Sequence, residues 1–307
     1  MRIRATVAAV SGALALSAFA VPAAHAAGGS SFGADAAKLF AAAHSASGKT
    51  AYTATTADDD APYAMDVTFS NVKIAKAVKV GTTAHVATSV TYTLTHGADV
   101  DITAADFNTG AYIYKGSYTD ESNFLIGDDP AKCTATSATT ASCKGNIDVY
   151  PADGELSNSD AGLWHAGALA IAWNGQDPTS TDFDITKVGY ADQGALGSTQ
   201  VQRLSKLTVN AAPEPVKKGK TITVTGKLSR ANWEDGKYHG YTGQSVKLQF
   251  RKKGSSTYTN VKGIKTSSTG TLKTTTKATV DGYYRFSFVG TSTTPAVNAT
   301  GDYVDVK

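Results

Sequence analysis

Acidic side chains cluster at several points in the first two thirds of the chain, and carboxylates have an obvious chemistry as ligands for cations. Carboxylate oxygens gathered from neighbouring loops are what calcium binds in proteins. The spacing of an EF-hand loop, with its central glycine and closing glutamate, is missing. The carboxylates that could meet at one end of a folded domain are Asp101, Asp128, Asp129 and Asp160. The sequence therefore allows a calcium site, and solvated acidic loops are the alternative interpretation.

Residues with the spacing of catalytic motifs are scarce. Gly29-Ser30-Ser31-Phe32-Gly33 matches the G-x-S-x-G pattern of a nucleophile elbow, but no strand precedes it to hold the serine. The histidines are scattered, with no H-E-x-x-H motif, and no phosphate-binding loop is present. We therefore expect no catalytic residue, and an enzyme would need a constellation that spacing does not reveal.

Aromatic residues crowd one segment of the last third, just before a basic stretch. Trp233, Tyr238 and Tyr241 lie close together in a segment with two glycines, where rings could stack on a sugar, anchor a protein or fold back as packing. Lys247 and Arg251 alternate with apolar residues, which puts them on the outer face of a predicted strand. These five residues are the predicted ligand-binding set, and a solvated surface is the alternative.

The elements that would position these residues are strands. Apolar and polar residues alternate with period two after the N-terminal part, for example at Val90, Tyr92 and Leu94. About seven such segments follow one another in the last third, as in an immunoglobulin-like sandwich. The sequence predicts an all-β fold with two tandem immunoglobulin-like β-sandwich domains.

The sign of the charge changes along the chain. Ala27–Ser205 contains 20 acidic and 10 basic residues, whereas Lys206–Lys307 contains 6 acidic and 17 basic residues. Such an asymmetry is typical of two domains with different partners. We predict a flexible N-terminal segment at 27–61, in which Ala34–Ala46 could form a short helix, an acidic β-sandwich domain at 62–205 and a basic immunoglobulin-like domain at 206–307.

The first 26 residues have the features of a signal peptide. Arg2 and Arg4 precede an apolar run at Val7–Val21, and Ala24-His25-Ala26 is a cleavage site of the small-x-small type. No second apolar stretch approaches the length of a membrane span. We expect a secreted, extracellular protein without a membrane span.

Cys133 and Cys143 are the two cysteines of the chain, and only Thr, Ala and Ser separate them. In an exported protein, such a pair is predicted to form a disulfide that closes a hairpin. A loop closed by this disulfide could also present a segment to a protease as an inhibitor does, although the segment between the two cysteines lacks a large or charged anchor residue.

Three segments carry a resemblance to a known group of proteins: Ala212–Gly226, Gly243–Lys253 and Asn158–Trp164. They resemble actinobacterial secreted proteins with tandem immunoglobulin-like domains, and the resemblance covers about Tyr63 to Lys307. Such proteins are often labelled calcium-binding. The resemblance implies an extracellular all-β protein, and it transfers no metal ligand residue by residue.

Together these features favour a secreted, non-enzymatic binding or adhesion protein that acts at the cell envelope or extracellular matrix. The expected partners are an anionic cell-wall polymer or an extracellular protein, and not nucleic acid, with calcium as a possible cofactor. A secreted protease inhibitor that uses the Cys133 to Cys143 hairpin is the alternative, and a cryptic hydrolase comes third. The oligomeric state is left open.

Overall fold

The computed structural model describes residues 32–45, 61–118 and 124–307, and the predicted signal peptide lies outside them. The described chain is nearly all β, which confirms the predicted all-β sandwich fold. One α-helix, α1, spans Phe32–Ser45. The strands are β1 (Tyr63–Ala64), β2 (Val67–Lys73), β3 (Ala77–Val80), β4 (Val86–His96), β5 (Phe107–Tyr114), β6 (Phe124–Ile126), β7 (Lys132–Ala135), β8 (Thr140–Val149), β9 (Gly162–Ala172), β10 (Gly189–Arg203), β11 (Ser205–Leu207), β12 (Asn210–Ala212), β13 (Thr221–Asn232), β14 (Lys237–Gly240), β15 (Ser245–Lys252), β16 (Thr259–Lys265), β17 (Thr271–Lys277), β18 (Gly282–Phe288), β19 (Val297–Asn298) and β20 (Asp302–Val304).

The chain divides into two compact units. Among the residues that the structure describes, the first contains those up to Lys76, those of Val86–Val149 and Leu163–Thr199, and the second contains Ala77–His85, Tyr150–Gly162 and Gln200–Lys307. Two short internal segments of the expected acidic domain, and its last residues from Gln200 onward, thus belong to the second unit. The predicted domain limits at 62–205 and 206–307 stay a prediction.

The first unit is built on antiparallel pairs of long strands. β4 pairs with β8 along its length, and its alternating apolar residues are buried. β5 pairs with β9, and both strands have long runs of buried residues because each of their two faces is covered. β7 pairs with β8 and places Cys133 directly opposite Cys143. The predicted disulfide between these two residues is confirmed.

Helix α1 covers one face of the sheet that contains β5 and β9. Its buried residues Phe32, Leu39 and Phe40 pack in one cluster with Tyr112 and Tyr190. The ring of Phe40 meets that of Tyr112 edge to face at a centroid distance of 5.6 Å. Within the expected flexible N-terminal segment, Phe32–Ser45 therefore forms a helix docked on the first core.

The second unit contains a sandwich of two sheets. β13 pairs with β11, β12, β14 and β17 in one sheet, and β15 and β18 pair with each other at the centre of the other, flanked by β16, β19 and β20. Because side chains alternate between the two faces of a strand, Leu248, Phe286 and Ile222 all point into a common core between the sheets. The opposite residues of each strand are left on the outer faces, and one of these faces carries the candidate site.

Candidate binding surface

The outer face of the sheet formed by β15, β16, β18 and β20 is rich in tyrosine and arginine. Gln249 lies opposite Arg285, Arg251 lies opposite Tyr283, and Tyr283 lies opposite Tyr303. We call this surface the Tyr–Arg face. Its members are Lys247, Gln249, Arg251, Tyr258, Tyr283, Arg285 and Tyr303.

Cations and rings are stacked on one another across the Tyr–Arg face. The guanidinium carbon of Arg251 lies 4.1 Å from the ring centroid of Tyr283 and 5.2 Å from that of Tyr258. The guanidinium carbon of Arg285 lies 3.8 Å from the ring centroid of Tyr258. Arginine suits this position because its planar cation stacks on an aromatic ring and still carries several N–H donors.

Hydrogen bonds hold the same side chains in place. Arg285 Nε donates to Gln249 Oε1 at 2.9 Å, and Gln249 Nε2 donates to Asn260 Oδ1 at 2.9 Å. Arg251 Nη1 donates to the carbonyl oxygen of Ser255 at 2.6 Å. The two guanidinium groups are therefore ordered before any ligand arrives, and a ligand would lose less side-chain entropy on binding them.

A pocket of about 440 Å³ opens beside the Tyr–Arg face, at the end of β15. We call it the lysine pocket. It is lined by Lys218, Lys252, Lys253, Thr279, Val280, Asp281, Val306 and Lys307. Four lysines and one acidic side chain thus line the pocket, and the side chains of Lys253 and Lys307 are 63% and 68% exposed.

Asp281 joins the lysine pocket to the Tyr–Arg face. Its Oδ1 accepts from the amide of Val306 at 2.9 Å, and its Oδ2 accepts from the hydroxyl of Tyr303 at 3.1 Å. The ammonium of Lys253 lies 3.6 Å from Oδ2. The backbone hydrogen bond from Val306 is the main reason that the pKa of Asp281 is lowered, with Tyr303 and Lys253 adding to it. The carboxylate is therefore occupied by groups of the protein itself.

The predicted ligand-binding residues fall into two groups in the structure. Lys247 and Arg251 belong to the Tyr–Arg face, on β15. Trp233 is only 3% exposed, and its indole nitrogen donates to the carbonyl of Gly81, so the ring packs inside the second unit. Tyr238 lies in β14, in the sheet of β13, and Tyr241 follows it.

Both of these tyrosines are themselves covered by cations. Lys206 Nζ lies 3.9 Å from the ring centroid of Tyr238, and the guanidinium carbon of Arg230 lies 4.1 Å from that of Tyr241. The structure does not bring Tyr238 together with Lys247 and Arg251 on one sheet.

Five residues of the Tyr–Arg face were not predicted from the sequence: Gln249, Tyr258, Tyr283, Arg285 and Tyr303. A signal for two of them was present, because Tyr283 and Arg285 alternate with buried Tyr284 and Phe286 in β18. Tyr258 precedes β16, and Tyr303 is placed by a pairing with β18 that no local pattern specifies.

The predicted metal ligands are engaged in local contacts. Asp101 Oδ1 accepts from the amide and hydroxyl of Thr103, and the hydroxyl bond is the main reason that its pKa is lowered. Asp160 is buried and accepts from the amide and hydroxyl of Ser157 at 2.6 and 2.7 Å. Asp101 belongs to the first unit and Asp160 to the second.

The other two predicted ligands lie just after β6. The backbone N–H of Asp128 donates to Asp148 Oδ2 at 3.1 Å, and Asp129 is exposed. Over the described ranges, no group of three or more acidic, histidine or cysteine side chains is placed to hold a metal. Calcium binding by the four predicted residues stays a prediction.

The hairpin closed by Cys133 and Cys143 ends in a turn of small polar residues. Thr136 Oγ1 and Thr140 Oγ1 lie 2.8 Å apart, and Ser137 Oγ lies 2.7 Å from Thr140 Oγ1. These contacts join residues of the turn to one another. A protease-binding loop instead presents a side chain that fills a pocket, so the geometry adds nothing to the inhibitor interpretation.

Comparisons with known proteins find only low similarity. No protein-family model matches the sequence, and no curated protein matches it. The adhesin InvE from Yersinia pseudotuberculosis is 11% identical, with 76% of this chain and 58% of that chain covered at a TM-score of 0.24. A DUF4785 family protein from Legionella pneumophila is 11% identical, with 78% and 56% covered at a TM-score of 0.31.

The human OSCAR ligand-binding domain is 12% identical, with 77% of this chain and 94% of that chain covered at a TM-score of 0.22. This chain spans somewhat more than half the length of the two bacterial structures. Likenesses at this level carry no conclusion about function. Of the helices that the structure describes, none combines the length and apolar character needed to cross a bilayer.

Proposed function

We propose that this chain is an extracellular, non-enzymatic binding protein that attaches to anionic polymers through the Tyr–Arg face. The observation that carries the proposal is the fixed stacking of Arg251 and Arg285 on Tyr258 and Tyr283. Cations that are already ordered bind an anion with a smaller entropy loss than free side chains do.

The charge of the surroundings supports the same partner. Lys247, Arg251 and Arg285 give the Tyr–Arg face three positive charges, and none of its members is acidic. The face lies in the basic half of the chain, whose field attracts polyanions from a distance of about one Debye length, roughly 8 Å at physiological salt. Attraction of this kind favours a long anionic chain over a small neutral ligand.

The stacking also separates two modes of recognition. A sugar ring binds an aromatic face that is open, whereas the face of Tyr258 is occupied by Arg285 at 3.8 Å. The buried ring of Trp233 offers no open face. Recognition by charge is therefore better supported than recognition by stacking on sugars.

Secretion is part of the proposal and rests on two features. The N-terminal sequence has the features of a signal peptide, and a cross-strand disulfide joins Cys133 to Cys143. Disulfides persist in oxidising, extracellular surroundings. The polymer would then belong to the cell envelope or to the extracellular matrix.

The experiment measures retention of the full mature chain on an immobilised anionic polymer, polygalacturonate, at low salt. Lys247→Gln with Arg251→Gln removes two charges from the Tyr–Arg face. Lys273→Gln with Lys277→Gln removes two charges from β17, in the opposite sheet, and is the matched control.

We expect the first pair of substitutions to abolish retention and the control pair to leave most of it. Salt near 0.15 M should weaken retention of the unmodified chain. Equal losses in both variants would mean that the basic residues act only as a diffuse coat, and no retention of the unmodified chain would overturn the proposal. Melting curves check that each variant is folded.

Calcium binding is kept as a separate proposal that comes from the sequence alone. A bound ion stabilises the native state by mass action, so millimolar calcium should raise the melting temperature of the full chain relative to chelator. Asp128→Asn with Asp129→Asn should remove the shift. An unchanged melting temperature would exclude calcium as a structural ligand.

A further inference from the structure

The lysine pocket has a charge balance that the protein does not neutralise by itself. Lys218, Lys252, Lys253 and Lys307 line it, and Asp281 is its one acidic residue. Lys253 lies 3.6 Å from Asp281, and Lys307 lies 3.8 Å from Asp305 outside the pocket. Within the part of the chain that the structure describes, Lys218 and Lys252 have no carboxylate within ion-pair distance. We propose that the lysine pocket is a binding site for phosphate groups.

The number of charges favours phosphate over a carboxylate. Lysines that line one pocket bring like charges into the same neighbourhood, where they repel one another, and a bound anion offsets this repulsion. A carboxylate brings one negative charge, whereas a phosphate monoester brings about two and adds three strong acceptor oxygens. Lysines are compact point charges with rotatable donors, so several of them can turn toward one tetrahedral anion.

The walls of the pocket are fixed by backbone hydrogen bonds. The amide of Lys253 donates to the carbonyl of Asp281 at 2.9 Å, and the amide of Lys218 donates to a backbone oxygen of Lys307 at 2.8 Å. The amide of Lys307 donates to the carbonyl of Val216 at 2.9 Å. Four parts of the chain, joined in two pairs, thus form the walls of the pocket.

The carboxylate of Asp281 does not compete with an incoming anion for the free lysines. It already accepts from Val306 and Tyr303 and lies beside Lys253. Lys253 also donates to the hydroxyl of Tyr303 at 3.2 Å, on the border of the Tyr–Arg face. A polymer bound to that face could place one of its phosphate groups in the pocket. Only this source of the phosphate depends on the proposed function; the phosphate site itself does not.

The test titrates inorganic pyrophosphate into the full mature chain at low salt and follows binding by calorimetry. Lys218→Ser with Lys252→Ser removes the two unpaired ammonium groups. Lys273→Ser with Lys277→Ser is the matched control, because it removes the same charge from exposed positions on β17.

We expect the pocket variant to bind pyrophosphate about tenfold more weakly and the control to stay within about twofold of the unmodified chain. Malonate, a dicarboxylate, should bind more weakly than pyrophosphate to the unmodified chain. Equal weakening in both variants, equal affinity for malonate, or no binding of pyrophosphate would overturn the inference.

The outcomes also separate this inference from the proposed function. Pyrophosphate binding that depends on the pocket, without retention on polygalacturonate, would leave the phosphate site standing and remove the polymer-binding face. Retention that depends on Lys247 and Arg251, without pyrophosphate binding, would do the reverse.

Discussion

The indole nitrogen of Trp233 donates a hydrogen bond of 2.8 Å to the backbone carbonyl of Gly81, 152 positions earlier in the chain. Both residues are buried. An indole N–H can only donate, and a buried carbonyl without a partner is costly, so each group satisfies the other. The bond ties a segment from the first half of the chain into the second unit.

Replacing Trp233 by phenylalanine should therefore reduce stability. Trp233→Phe keeps an aromatic ring but leaves the carbonyl of Gly81 without its donor, and we expect a loss of about 1 to 3 kcal/mol in the free energy of unfolding. Denaturant titration of the full chain measures it.

Tyr238→Phe, in the neighbouring strand, is the matched control for this substitution. Its hydroxyl makes none of the hydrogen bonds described for the second unit, and we expect a change within about 0.5 kcal/mol. A Trp233→Phe variant as stable as the unmodified chain would contradict the role of the bond.

The stacked geometry of Arg285 should matter beyond its charge. Arg285→Lys keeps the positive charge but loses the planar stack on Tyr258 and the bond from Nε to Gln249. Ordering a long side chain on binding costs about 0.5 to 1.5 kcal/mol, and a lysine without the stack would bear that cost, so polymer binding should weaken by about two- to tenfold. Retention on the anionic polymer at a series of salt concentrations measures the change.

Arg230→Lys provides the comparison, because Arg230 stacks on Tyr241 in the same manner but lies in the other sheet. We expect it to leave retention unchanged. If both substitutions weaken retention alike, the stacking on the Tyr–Arg face has no special part in binding.

The disulfide should stabilise the hairpin of β7 and β8. Replacing both Cys133 and Cys143 by serine should lower the free energy of unfolding by about 2 to 3 kcal/mol, because the closed loop restricts the unfolded chain. Intact-mass measurement of the native protein should find no thiol that can be alkylated. Two reactive thiols would show that the bond does not form in the natural protein.

Asp281 should contribute to stability in a pH-dependent way. Its pKa in the folded protein lies below the ordinary value of 3.8, mainly because its carboxylate accepts from the amide of Val306. A lowered pKa means that the ionised group stabilises the fold above the unfolded value and that this contribution is lost as the pH falls through the folded value. Asp281→Asn should therefore melt below the unmodified chain at pH 6.

The difference between these two melting temperatures should shrink as the pH falls below 3.8. Melting curves between pH 2 and pH 7 in one buffer series measure it. A difference that is constant with pH would show that the charge of Asp281 is not what stabilises the fold.

Alternation along single strands was enough to predict much of the second unit. Val246, Leu248 and Phe250 were expected to face inward, and Lys247 and Arg251 outward, and the structure confirms this placement for the two cations. The pattern succeeds because each strand has one face in a common core, so local sequence reports burial.

Contacts between distant segments could not be predicted in this way. Nothing near Trp233 indicates that Gly81 will cover it, so the ring was assigned to a ligand-binding set that stays untested. Asp160 was grouped with Asp101 because loops at one end of the first domain could bring them together, yet the two belong to different compact units. Tyr303 reaches the Tyr–Arg face only through strand pairing with Tyr283. Each of these depends on topology, which a single sequence specifies only weakly.

The second unit is not a continuous stretch of sequence, and this limits how it can be transplanted. Asn158, in the segment Tyr150–Gly162, accepts from the amide of Trp233 and donates to Asn232. The carbonyl of Gly81 accepts from the indole of Trp233, so two upstream segments hold residues that lie far downstream. A fusion protein that borrows only Lys206–Lys307 would carry the Tyr–Arg face on a scaffold with two of its supports removed. A portable version of the binding surface should therefore begin no later than Ala77 and run to Lys307.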